Sequence, residues 1–254
     1  MNFIVCNNYE EISMKAAEII AELVKSKPDC VLGLATGSTP VGTYKELIAK
    51  NKKGEISFKN AVSYNLDEYY PISPDNDQSY RYFMNENLFN HIDIPMENTH
   101  LLNGEAKDPD AECKAYDEAI KNAGGIDIQV LGIGRNGHIA FNEPDEALIA
   151  PTHKTGLTAD TIDANSRFFE SADLVPKYAL TMGMASIFGA RKIILLANGA
   201  SKAQAVKELR NDEIKTSNPS IPGSITSKSA TSNFPFSLWK ISIASSPLAA
   251  PIAS

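Results

Sequence analysis

One stretch of the chain, VLGIGRNGHIAFNEP (residues 130–144), carries side chains that could perform acid–base chemistry. An apolar run is followed by a glycine-rich loop, and the same loop holds Asn136, His138 and Glu143. A histidine can transfer protons near neutral pH, and a neighbouring carboxylate can orient its ring. An Asn-Gly turn beside a structural histidine is the alternative, but the glycines beside a histidine and a glutamate favour a functional loop.

A second candidate is Asp67, which lies in NLDEYYP directly after an apolar, strand-like run. A carboxylate at a strand end, in a partly dry crevice, can accept a proton from a substrate. Taken alone, the same residue is at least as well explained as a helix cap or a turn acid.

The segment ATGSTP offers groups that bind anions. It places Gly37, Ser38 and Thr39 ahead of a predicted helix, where free backbone N–H groups and hydroxyls can hold a phosphate. Plain N-capping of the helix by one of the two hydroxyls is an equal alternative.

Two basic residues could add positive charge to an anion site. Lys202 lies in NGASKA, which follows a strand-like run and opens a helix, and Arg167 lies in ANSRFF. Arginine can bind phosphate through two parallel hydrogen bonds. Each residue alone is more simply explained as a solvated surface charge.

Strand-like and helix-like segments alternate along the chain. Strands are predicted in NFIVC, CVLGLA, AVSYNL, IDIQVLGIG and KIILLAN, and helices in YEEISMKAAEIIAELVKSK, VGTYKELIAKNKKG, QSYRYFMNENLFNHI, DAECKAYDEAIKNAGG, VPKYALTMGMASIFGA and SKAQAVKELRN. This alternation predicts a single-domain α/β fold with an open, doubly wound, mainly parallel (Rossmann-like) sheet. Ligands of such sheets bind at the carboxyl ends of the strands, so we expect the candidate stretches that follow strands to line one crevice.

Composition excludes several classes of function. The chain has 254 residues, 43% of them hydrophobic, which suits a globular protein with a sizeable core. A formal net charge of -7 disfavours nucleic acid and anionic membranes as partners. No apolar run reaches membrane-spanning length and no signal peptide is found, so we expect a cytoplasmic protein.

No metal or organic cofactor is expected. The three cysteines form no C-x-x-C pair and the four histidines form no ligand cluster, which argues against a disulfide framework and a zinc site. GIGRNG superficially resembles a dinucleotide-binding fingerprint, but no convincing acidic residue follows about twenty positions later. A nicotinamide cofactor is therefore discounted.

Together, the segments LGLATGSTPVGTYKELI, NLDEYY, QSYRYFMNENLFNHIDIP, GIGRNGHIAFNEP, ANSRFF and YALTMGMASIF resemble the glucosamine-6-phosphate deaminases. The resemblance covers residues 1–222. The related 6-phosphogluconolactonases share the fold and a glycine–histidine loop, but would not be expected to carry NLDEY and HIAFNEP in these forms.

The resemblance implies conversion of glucosamine 6-phosphate and water into fructose 6-phosphate and ammonium, without a metal or cofactor. Asp67 would move a proton from C2 to C1, and His138 would open the sugar ring. Glu143 would pair with His138, and Asn136, which is aspartate in some members, would orient it. Because an amide adds no charge, we expect a less basic His138 than in those members.

The resemblance also assigns the substrate's phosphate group. It would lie on the backbone of Gly37, Ser38 and Thr39, with Arg167 and Lys202 as its charged partners. This agrees with the anion-binding groups found from the residues themselves.

Two features depart from the family pattern. The segment APTHKTG has only Lys154 as a clear cation, where allosteric hexameric members carry several basic residues, so we expect a monomer or a low homo-oligomer. Residues 223–254 are rich in Ser and Pro, and no acidic residue follows Glu213. This tail is interpreted as a translated non-native reading frame, in which case the last strand of the sheet is missing or replaced; a genuine divergent tail is the alternative. Within it, LWKISIA is the candidate strand.

Two other functions are considered. A lactonase acting on a sugar-phosphate lactone would use His138 to activate water, but would leave Asp67 without a carbon-bound proton to remove. A sugar-phosphate-sensing domain of a transcription regulator would share the fold. That function predicts a helix-turn-helix segment and a basic face, and the sequence shows neither.

Overall fold

The computed structural model describes residues 2–145, 148–158, 162, 169, 175–210, 224–225 and 240–245. The strands, in chain order, are β1 (Asn2–Cys6), β2 (Val31–Leu34), β3 (Val62–Asn65), β4 (Asp67–Tyr70), β5 (Thr99–His100), β6 (Ile128–Leu131), β7 (Leu148–Ile149), β8 (His153–Gly156), β9 (Tyr178–Thr181), β10 (Lys192–Asn198), β11 (Ser224–Ile225) and β12 (Lys240–Ser245). The helices are α1 (Tyr9–Ser26), α2 (Val41–Lys52), α3 (Tyr80–Asn87), α4 (Pro109–Asn122), α5 (Met184–Phe188) and α6 (Ala203–Arg210).

A parallel sheet forms the centre of the molecule, with strand order β1-β12-β10-β6-β2-β3-β5. Starting from β2, the chain adds β3 and β5 on one side and then crosses to β6 and β10 on the other. The predicted single-domain, doubly wound α/β fold is confirmed. All residues of β2 and β6 are buried, as their apolar runs predict.

Two of the predicted helices begin at capping residues that can be recognised in the sequence. The Asn8 side chain caps α1 by accepting the Glu11 N–H at 2.8 Å. Asp108 caps α4 in the same way, and Pro109 occupies its first turn. None of the helices in the described part of the chain is long and apolar enough to cross a membrane.

The continuous helix predicted for VPKYALTMGMASIFGA is wrong. Its first half is β9, the middle strand of an antiparallel sheet with order β4-β9-β8, and only its second half is helical, as α5. Ala179 and Leu180 are fully buried in that sheet, so strand pairing overrides their helix propensity. The break falls at Gly183, where an added Cβ would lie 2.2 Å from the Ala150 carbonyl oxygen.

The strand considered for LWKISIA is present as β12. It lies between β1 and β10 and runs parallel to both, with Ile241 opposite Asn2 on one side and opposite Ile194 on the other. A second short piece of the tail, β11, pairs with β7. The origin of the tail and a boundary at residue 222 stay predictions.

Candidate active site

The candidate residues gather where the strand order of the main sheet reverses. β2 and β6 are hydrogen-bonded neighbours, and the chain leaves them towards opposite edges of the sheet. The loops that follow these two strands therefore diverge and leave a crevice at their carboxyl ends, which is where open α/β sheets bind ligands. The loop after β2 holds Gly37, and the loop after β6 holds His138.

The loop after β2 is built to present backbone N–H groups. Gly37 has a φ of 88°, which favours glycine, and the N–H groups of Gly37, Ser38 and Thr39 donate to no group in the described part of the chain. The Tyr9 hydroxyl holds the loop from behind, 2.9 and 3.0 Å from the carbonyl oxygens of Ser38 and Thr39, and accepts the Gly42 N–H at 2.8 Å.

Helix α2 does not use the hydroxyls of this loop as caps. Its N-cap is Pro40, with no capping bond from a side chain. Capping by Ser38 or Thr39, the structural alternative considered for this segment, is therefore not observed. Both hydroxyls, together with the free N–H groups beside them, remain available to an anion at the start of a twelve-residue helix.

Asp67 begins β4, separated from the end of β3 by the single residue Leu66, and is only 6% exposed. No side chain among the described residues hydrogen-bonds to its carboxyl group. Burial, assisted by the charge of Glu68, raises the pKa of Asp67 from its ordinary value of 3.8 to about 8. Such a carboxylate is a stronger base than a solvated one, which suits the removal of a proton from carbon near neutral pH.

The loop after β6 folds back tightly around its histidine. Gly134 donates its N–H to the His138 carbonyl oxygen at 2.8 Å, and Gly137 adopts a φ of 92°. An added Cβ on Gly134 would lie 2.3 Å from Nδ1 of the His138 ring. The lack of a side chain at Gly134 therefore allows the imidazole to pack directly on the backbone, and the positive φ of Gly137 favours glycine there.

Asn136 bridges the other two groups of this loop. Its amide N–H donates to Glu143 Oε2 at 2.7 Å, while its Oδ1 accepts the His138 backbone N–H at 3.2 Å. The same Glu143 oxygen lies 3.8 Å from His138 Nδ1. The structure thus brings together the three side chains predicted from this stretch, and Glu143 lies on the Nδ1 side of the imidazole.

The surroundings of the His138 imidazole favour its neutral form. Partial burial lowers the pKa of His138 below its ordinary value, Glu143 opposes that shift, and Lys202 adds to it. Lys202 thereby acts on the site electrostatically, and burial and Arg135 lower its own pKa in turn. A neutral imidazole can take a proton as a base and return it as an acid.

β9 ties the histidine loop to the strand of Asp67. Thr181 pairs with Asp67 across the antiparallel sheet, and its hydroxyl accepts the Phe141 N–H at 3.2 Å. Asn142 donates its side-chain N–H to the Met182 carbonyl oxygen at 2.9 Å. Neither contact could be predicted from the sequence, because an isolated threonine and an asparagine inside a motif carry no signal of what they contact.

Arg167 lies outside the described residues. In the described part of the chain, no group of His, Cys, Asp and Glu side chains could hold a metal ion. The three cysteines are free and buried. Of the remaining predicted residues, Asp67 begins β4, and the others lie in segments that follow β2, β6 and β10.

The chain was compared with known proteins. A family model described as glucosamine-6-phosphate isomerases/6-phosphogluconolactonase matches residues 8–232. Two similar relatives are glucosamine-6-phosphate deaminases of Thermoanaerobacter pseudethanolicus and Clostridium beijerinckii, each 56% identical to this chain. Each alignment covers 86% of this chain, and it covers 87% of the first relative and 90% of the second.

Solved structures agree with this result. A monomeric glucosamine-6-phosphate deaminase superimposes with a TM-score of 0.84 at 42% identity, covering 96% of this chain and 97% of its own. A 6-phosphogluconolactonase of Thermotoga maritima, with a TM-score of 0.71, 18% identity and coverage of 96% and 99%, shares the fold. The chain belongs to the glucosamine-6-phosphate isomerase/6-phosphogluconolactonase family.

Proposed function

We propose that this chain is a deaminase that converts glucosamine 6-phosphate and water into fructose 6-phosphate and ammonium, in amino-sugar catabolism. One observation carries the proposal: a buried aspartate, Asp67, lies on a strand that β9 joins to the loop of His138. Relatives that are 56% identical and named glucosamine-6-phosphate deaminase support it.

In the first step, His138 opens the sugar ring. Its neutral imidazole takes the proton of the C1 hydroxyl and returns a proton to the ring oxygen, so that C1 becomes an aldehyde. Glu143, 3.8 Å from Nδ1, stabilises the imidazolium formed in between. Asn136 fixes the position of Glu143 through its 2.7 Å hydrogen bond.

In the second step, Asp67 removes the proton from C2. The electron pair of that bond forms a C1–C2 double bond, while the aldehyde oxygen takes up a proton from the substrate's own ammonium group, which becomes a neutral amine. Asp67 then delivers its proton to C1, which leaves an iminium group at C2 that water hydrolyses to the ketone and ammonium. A substrate ammonium group next to Asp67 would favour its ionised form and prepare it as the base.

The phosphate group binds at the loop after β2. The free N–H groups and hydroxyls of Gly37, Ser38 and Thr39 donate hydrogen bonds to it, and the start of α2 adds a favourable dipole. Lys202, which follows β10 on the far side of β6 from this loop, supplies positive charge. Arg167 is assigned the same role from the family resemblance. No metal ion or organic cofactor takes part in these steps.

Two further properties belong to this proposal. The protein is a monomer or a low homo-oligomer, for which the monomeric structural neighbour gives support. It acts in the cytoplasm on a small sugar phosphate, without a nucleic-acid or membrane partner.

The test is a comparison of two substrates. Purified protein is incubated with glucosamine 6-phosphate or with 6-phosphogluconolactone, and ammonium, fructose 6-phosphate and lactone hydrolysis are measured. The proposal predicts equal amounts of ammonium and fructose 6-phosphate from the first substrate and no hydrolysis of the second above background. Hydrolysis of the lactone without ammonium release would assign the lactonase function instead.

A further inference from the structure

None of the proposed catalytic steps involves Glu68, which follows Asp67 along β4. Its side chain is 2% exposed. Its carboxylate accepts three backbone N–H groups, from Tyr69 at 2.9 Å, Tyr80 at 2.8 Å and Arg81 at 2.9 Å. Because successive side chains of a strand point to opposite faces, Glu68 lies behind the strand when Asp67 faces the crevice.

These hydrogen bonds fix α3 to the strand of the proposed base. Ser79 caps the helix, and Tyr80 and Arg81 are its first two residues, so the Glu68 carboxylate occupies the positive end of the helix dipole. The Arg81 side chain is itself held, since it donates to the Thr99 hydroxyl at 2.8 Å and to the Thr99 carbonyl oxygen at 3.0 Å. The start of α3 is therefore rigidly placed.

From there, aromatic contacts reach the histidine loop. The Tyr80 ring stacks on Phe141 with a centroid distance of 6.2 Å and an interplanar angle of 3°, and it lies 4.8 Å from the Tyr69 ring. Phe141 lies three residues after His138 and is bonded to Thr181, opposite Asp67. The strand of Asp67 is thus joined to the histidine loop in two ways, through β9 and through the start of α3.

We propose that Glu68 is a positioning residue for the proton transfer at Asp67: it holds α3 against the histidine loop and places a second negative charge beside the base. This inference rests on the proposed function. Among the described residues, the titratable group that acts on Asp67 is Glu68 on its own strand. Burial and, in addition, the charge of Asp67 raise the pKa of the nearby phenols of Tyr69, Tyr80 and Tyr116. Burial raises the pKa of Glu68 from 4.5 to about 7, while its three backbone N–H donors and the Arg81 cation oppose that shift. Its charge therefore acts on Asp67 above about pH 7.

The charge gives the test its direction. An ionised Glu68 disfavours ionisation of Asp67, so its loss lowers the pKa of Asp67 and makes it a weaker base. For Glu68→Gln we expect the acidic limb of the kcat profile to move to lower pH by about 0.5–1 unit. We expect kcat to fall about tenfold while KM changes by less than about twofold.

Glu86→Gln is the matched control, because Glu86 is an exposed residue of the same helix and the charge change is identical. The measurement is ammonium release from glucosamine 6-phosphate across the pH range, with wild type alongside. An inactive wild type would refute the proposed function. An active wild type, with Glu68→Gln matching Glu86→Gln in both kcat and limb position, would overturn the role of Glu68.

A second variant covers the case in which Glu68→Gln does not fold. Glu68→Asp keeps the charge, but its shorter side chain cannot reach all three N–H groups. We expect kcat to fall with the acidic limb in its wild-type position. Wild-type kcat in Glu68→Asp would overturn the inference.

Discussion

Replacing Asp67 by asparagine should stabilise the fold while it removes activity. The carboxyl group is buried without a hydrogen-bonding side chain among the described residues, and burial raises its pKa from 3.8 to about 8. A group that binds its proton more tightly in the native state than in the unfolded state costs stability as the pH rises between the two values. Asparagine has nearly the same shape and no charge, so it removes that cost.

The size of the effect follows from the two pKa values. At about 1.4 kcal/mol per pKa unit, the cost of the native carboxyl group grows by about 3–4 kcal/mol between about pH 5 and about pH 8. For a protein of this length, that corresponds to a Tm difference of about 7–10 °C. The gain in Tm of Asp67→Asn over wild type should therefore be about 7–10 °C larger at about pH 8 than at about pH 5.

Thermal unfolding at the two pH values measures this difference, with Asp75→Asn as the control. Asp75 is exposed, so its substitution removes the same charge without relieving burial. If the Tm gain of Asp67→Asn is the same at both pH values, or matches that of Asp75→Asn, the carboxyl group is not held in a desolvated state. Asp67 would then not be the strong base that its burial predicts.

Three further substitutions test the histidine loop and its link to β9. Asn136→Asp should raise the pKa of His138 and move the matching limb of the pH–rate profile to higher pH, because a charge replaces an amide; an unmoved limb refutes this. Gly134→Ala should lower kcat by more than about tenfold, because its Cβ would lie 2.3 Å from Nδ1 of the His138 imidazole. Gly156→Ala is the control and should leave kcat unchanged, because an added Cβ there meets no other atom. Thr181→Val should lower kcat about tenfold by leaving the Phe141 N–H without its acceptor, and Thr181→Ser should restore it; equal rates for the two variants would contradict the link.

Most of the main sheet could be predicted from the sequence because its longer strands are apolar runs between helix signals, whereas the two-residue strand β5 was not predicted. The buried runs that became β2, β3, β6 and β10 lie where they were expected. Short strands were missed where pairing with distant segments decides the structure. β9 is the example: its residues read as part of a helix, and only β4 and β8 on either side make it a strand.

For the site, residue types and their positions after strands made Asp67, His138 and the loop at Gly37 candidates, and the family resemblance assigned their roles. The contacts behind these residues could not be predicted. Tyr9 reaches the anion loop from 29 residues away along the chain, and Glu68 reaches the start of α3 from 12 residues away. Such contacts depend on the folded arrangement and leave no local pattern in the sequence.

The most direct test of Asp67 as the catalytic base follows the C2 proton of the substrate. Glucosamine 6-phosphate is incubated in D₂O with wild type and with Asp67→Asn, and proton NMR records the signals at C2 and C1. We predict that wild type removes the C2 proton and releases ammonium, and that Asp67→Asn binds the sugar phosphate but leaves the C2 signal intact. Loss of the C2 proton at the wild-type rate in Asp67→Asn would contradict the assignment of Asp67 as the base.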